Sequence, residues 1–89
     1  MRVLKWNVPV DDRPHEIGGG PVTLVACQDG DPGMVQVWTA ESGQMPVLAQ
    51  VHGTGHLITD DSHVVGSVIV HGLVWHVSTR PNSQDVPDE

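Results

Sequence analysis

At 89 residues the chain has the length of one small domain, near the lower limit at which a hydrophobic core sustains a fold unaided. Four basic residues against eleven acidic ones give a net charge of −7, and no Lys or Arg stands between Pro14 and Thr79, which argues against nucleic-acid binding because that affinity comes mainly from cations on phosphates. The single Cys27 excludes an intramolecular disulfide and a cysteine-based zinc framework, and no run approaches the roughly 20 apolar residues of a membrane span.

Residues 2–8 open the chain as a strand, with Leu4, Trp6 and Val8 on one face and Val3, Lys5 and Asn7 on the other. Residues 9–14, rich in Pro and Asp, end it with turn chemistry. His15, Glu16 and Ile17 form a short edge strand, closed by Gly18-Gly19-Gly20-Pro21. Residues 22–27 are apolar on both faces apart from Thr23, which predicts a central, well-buried strand. Residues 28–33 are a loop.

Residues 34–40 alternate again, with Val35 and Val37 opposite Gln36 and Trp38. Residues 41–44 fit a hairpin turn leading to residues 45–52, where Val47, Ala49 and Val51 share a face. The run Val51-His52-Gly53-Thr54-Gly55-His56-Leu57-Ile58 follows, then a turn at Thr59-Asp60-Asp61-Ser62. Residues 63–71 are expected to form the longest strand, with Val64, Val68 and Val70 opposite Val65, Ser67 and Ile69, and Gly66 marking a bulge or a close approach. Gly72 permits a tight turn into a last strand over residues 73–78. The polar, acidic segment 81–89 reads as a flexible tail after a compact domain over 1–80. No useful helical period appears, and six or seven short strands predict an all-β fold, a small antiparallel sandwich or barrel.

The chemistry concentrates in the Gly/His run. His52, His56 and His76, with His71 as a substitute, are the candidate metal ligands, since catalytic zinc sites use three histidines or two with a carboxylate. The spacing opposes this reading: His-x-x-x-His shares one face only in a helix, and Gly53 and Gly55 disfavour one. Loop histidines with satisfied hydrogen bonds are the preferred interpretation, and no cofactor is expected. Gly53, Thr54 and Gly55 also suggest an anion-binding nest, but no Lys and no following helix accompany them. Ser67 or Thr54 with a histidine and an Asp would suffice for nucleophilic hydrolysis, yet nothing resembles a nucleophile elbow, so a non-catalytic protein is expected. The paired acids Asp11-Asp12, Asp29 with Asp31 and Asp60-Asp61 fall in turns, which favours solvation over DNA mimicry. Trp6, Trp38 and Trp75 sit in strand-like runs and are each core candidates. As interaction anchors, Trp6 and Trp38 have the more polar neighbours.

Four blocks in order, Asp11-Asp12-Arg13-Pro14-His15-Glu16-Ile17, Val25-Ala26-Cys27-Gln28, Gly53-Thr54-Gly55-His56 and Val74-Trp75-His76-Val77, resemble a family of small proteins encoded by phages of actinobacteria, of the mycobacteriophage type. The likeness covers most of residues 3–78, with Leu57 standing where family members often carry Pro. It implies a phage origin, a compact β fold and a domain of unknown function, with no catalytic residues to carry over. The expected role is a protein-binding module for a host or phage protein, acting through an edge strand or a Trp-bearing face, with a homo-oligomer as one option. It is placed in the host cytoplasm or, as a minor component, in the virion. The alternative is a small-ligand or metal-binding domain using loop 52–56.

Overall fold

Valines alternating with polar residues give each strand one face to bury, and two such sheets laid face to face satisfy all of them at once. A computed structural model, describing residues 2–27 and 33–82, shows that arrangement. The strands are β1 (Val3–Pro9), β2 (His15–Ile17), β3 (Val22–Cys27), β4 (Met34–Ala40), β5 (Val47–Gly53), β6 (His63–Val70) and β7 (Leu73–Pro81). They form a three-stranded sheet in the order β1-β4-β3 and a four-stranded sheet in the order β2-β5-β7-β6. All pairings are antiparallel. The fold is a sandwich, not a closed barrel.

The core lies between the inner faces. Val8, Val35 and Val37 come from the first sheet, and Ile17, Ala49, Val51, Val68, Val70 and Val77 from the second. No buried side chain there exceeds Ile in size, so the sheets meet through short side chains. Trp6 and Trp75 pack against this cluster from its margins. Buried Thr39 accepts a hydrogen bond from Trp6 Nε1 at 2.9 Å, so neither polar group is left unpaired.

Three glycines permit the crossings between sheets. A Cβ on Gly20 would lie 1.6 Å from the Ala40 carbonyl oxygen, one on Gly19 would lie 1.9 Å from that of Met45, and one on Gly18 would lie 2.9 Å from the Trp6 ring. The Gly18–Gly20 run is therefore a demand for backbone proximity as well as a turn.

Several expectations need correction. β3 is an edge strand with Leu24 53% exposed, not a central one; its apolar outer residues flank Trp38 instead of a covering layer. β4 and β5 do not form a hairpin, because residues 41–46 carry the chain from one sheet to the other. β7, with nine residues, is longer than β6, with eight. The bulge expected at Gly66 is present as a register shift between Val64 and Gly66. It reverses the parity of Val64, which joins Ser67 and Ile69 on the outer face while Val65 turns towards the core. A Cβ on Gly66 would lie 2.7 Å from Val25 Cγ2 on β3, so the same glycine also admits a close approach of the sheets. Of the expected loop 28–33, residues 28–32 lie outside the described residues, as does the expected tail 81–89 from residue 83 on. The last strand runs past 78 to Pro81, which pairs with Val47 instead of opening the tail. Among those described, no helix is long and apolar enough to cross a membrane.

Candidate functional site

The Gly/His run begins on β5 and leaves it through a β-turn. His56 N–H donates to Gly53 O at 3.2 Å, and Gly55, third in the turn, has φ 90°, the left-handed conformation that a type II turn demands there. Gly53 lies close under the same residue: a Cβ on it would stand 3.2 Å from the His56 ring, which would have to shift by a few tenths of an ångström. The turn thus fixes where His56 stands.

His52 is on the outer face of the four-stranded sheet, yet it is only 4% exposed. Its Nε2 lies 2.6 Å from Ser78 Oγ on β7, and its Nδ1 is 3.6 Å from Asp12 Oδ1. Asp12 stands in the β1–β2 connection with φ 57°, and Gln50 Nε2 holds it by donating to its carbonyl at 2.9 Å and to Oδ1 at 3.2 Å. The other carboxylate oxygen, Oδ2, is 3.6 Å from His56 Nδ1. One carboxylate therefore stands between two imidazoles brought from a buried strand and an exposed turn. Burial pushes the His52 pKa below its ordinary value of 6.5, with Asp12 opposing that effect. Next door, the hydrogen bond from His15 holds the Asp11 carboxyl below its usual 3.8.

His76 stands directly opposite His52 in the β5–β7 register, on the same outer face, but its hydrogen bonds run to other partners. Ser67 Oγ is 2.7 Å from its Nδ1 and Thr54 Oγ1 is 3.0 Å from its Nε2. Thr54 spends its own proton on Val74 O, at 3.2 Å, so His76 Nε2–H is the donor to Thr54. His76 Nδ1 then accepts from Ser67. Both hydroxyls weighed as nucleophiles are in this way occupied with one imidazole.

The chain belongs to a family. A family model described as a domain of unknown function (DUF7352) matches residues 1–87. Comparisons with curated proteins and with solved structures gave no match.

Of the residues singled out in the sequence, the structure gathers His52 and His56 around Asp12 and sets His76 opposite His52 across β5–β7, bonded to Thr54 and Ser67. His71 stands in the β6–β7 turn. Among the described residues no group of three His, Cys, Asp or Glu is arranged to hold a metal ion. Ser78, His52 and Asp12 follow the atom order of an activated serine, but Ser78 is 2% exposed and its Oγ is closed to substrate in this conformation. What the arrangement achieves is the pairing of polar groups that the folded connections have covered. Sequence reasoning missed Asp12, Gln50 and Ser78. The Asp11-Asp12-Arg13-Pro14 turn signal was visible, but its proximity to His52 depends on how the chain crosses between sheets.

Trp6 and Trp75 face inward. Trp6 also lines an open, mostly apolar depression of about 140 Å³ with Glu16, Ile17, Gly18 and Pro46. Trp38 lies on the outer face of the three-stranded sheet, between Lys5 and Leu24 in register, with Lys5 Nζ 5.7 Å from its ring centroid. Its Nε1 is buried without a hydrogen-bond partner.

The outer face of the four-stranded sheet is divided. Over β5 and the adjoining part of β7, the Asp12 connection and the His56 turn gather around His52 and Ser78. Over the β6–β7 hairpin it is open: Val64 is 55% exposed, Ile69 65% and Val74 43%, while Leu73, although exposed, is opposed to core Val70 and stands on the inner face. Ile69 and Val74 are directly opposed across the hairpin, so their side chains form a continuous apolar surface.

Proposed function

We propose that this is a phage-encoded accessory protein that acts as a non-catalytic protein-binding module in the host cytoplasm, docking through the outer face of the β6–β7 hairpin. The carrying observation is the exposed Val64, Ile69 and Val74 on the outer face of one hairpin, beside a polar half-face whose groups are already paired with one another. Clustered exposed apolar side chains on a small soluble domain are a recognised mark of an interaction surface. The resemblance of the four sequence blocks to actinobacteriophage proteins supports the phage setting.

The test is affinity capture from a lysate of an actinobacterial host, followed by direct binding measurements with the captured protein in purified form. An Ile69→Glu/Val74→Glu variant is expected to lose that binding, while Leu24→Glu on the opposite sheet keeps it. Equal binding by both variants contradicts docking at this hairpin.

A further inference from the structure

Building on that reading of the hairpin, we infer that the partner it takes is a second copy of this chain, with the two β6–β7 outer faces packed against each other around a twofold axis.

Charge supports this choice. The chain carries −7, so two copies repel wherever their acidic turns approach. Between residues 63 and 79, however, there is no Asp, Glu, Lys or Arg. The hairpin therefore offers a like-charged copy a surface with no fixed negative charge of its own. A basic partner, by contrast, would be drawn to the acidic turns and gain nothing from a neutral face. Isologous contacts need a self-complementary patch, and a neutral apolar patch meets that condition without paired charges.

The polar groups within the patch also tolerate loss of water. Ser67 bonds to His76, His76 to Thr54, and Thr54 to the Val74 carbonyl. Covering them strands none of these donors or acceptors, which is the usual cost of burying polar surface.

The contact is expected face to face instead of edge to edge. His71 and Gly72 both have positive φ, 51° and 77°, the two-residue turn that makes Val70 and Leu73 the first hydrogen-bonded pair. The Ile69 backbone then points away from β7, and its carbonyl accepts a bond from Cys27 Sγ at 3.2 Å. The free edge of β6 is thus capped from β3 at the point where an added strand would pair.

Sedimentation equilibrium of the full chain tests the proposal. The wild type is expected to be dimeric at high micromolar concentration, and Ile69→Glu/Val74→Glu to weaken self-association at least tenfold. Because that double change could also disturb the hairpin, Ile69→Thr/Val74→Thr, which keeps strand-forming residues, is measured beside it with circular dichroism. It is expected to retain the β spectrum and still self-associate more weakly. A monomeric wild type, or a dimer that both variants leave intact, overturns the inference. A monomeric wild type whose capture of a different protein is nonetheless lost in Ile69→Glu/Val74→Glu would leave the docking reading standing while removing the second copy.

Discussion

His52 shows how a single residue changes meaning between sequence and structure. In the sequence it is one of a glycine-flanked pair that suggests chemistry. In the fold it is a buried imidazole spanning Ser78 and Asp12. Its lowered pKa has a consequence for stability. The unfolded chain takes up a proton near pH 6.5 while the folded one resists, so this contribution is complete above about 6.5 and is lost as the pH falls below it. Chemical denaturation at a series of pH values should show that decline, and His52→Gln should flatten it. Ser78→Ala, which leaves the buried imidazole without its hydroxyl partner, is expected to cost about 1–3 kcal/mol. At the other extreme stands His71, whose φ of 51° is borne by a residue with a Cβ. Asn is better suited to that turn position, and His71→Asn should raise stability in the same assay.

At the scale of the element, most strands were legible because period-two alternation of Val with polar residues is a local signal. Seven strands were marked in the sequence, and the end of β5 with its glycine turn fell where expected. The face of Val64 was not legible, because a bulge at Gly66 moves a residue across the sheet without altering composition. Nor was the edge position of β3, since an apolar strand reads the same whether a layer or a neighbouring tryptophan covers it. The glycines test these assignments. Gly66→Ala places a Cβ against Val25 and should destabilise by about 1–3 kcal/mol. Gly20→Ala meets the Ala40 carbonyl at a distance no side-chain rotation relieves, and is expected to prevent native folding, read as loss of dispersed amide resonances.

The whole molecule was the least legible level. Fold class followed from alternation and the lack of any helical period, but the strand order joins β1 to β4 and β5 to β7 across long stretches of chain. Those pairings place Asp12 beside His52 and set His76 opposite His52 with hydrogen bonds of its own. They also divide the outer face of the second sheet into a half gathered around polar groups and a half left open. Three tryptophans drew attention as anchors, and two are spent on the core. The open surface is built instead from Val and Ile, which the sequence could not mark as exposed. The central claim is that this open half is the surface through which the protein meets a second copy of itself. Methyl resonances of Ile69 and Val74, followed from micromolar to millimolar protein, test it most directly. Shifts confined to Val64, Ile69 and Val74 as concentration rises are the predicted result. Methyls that stay fixed there, or that move instead around Leu24 and Val3, would contradict it.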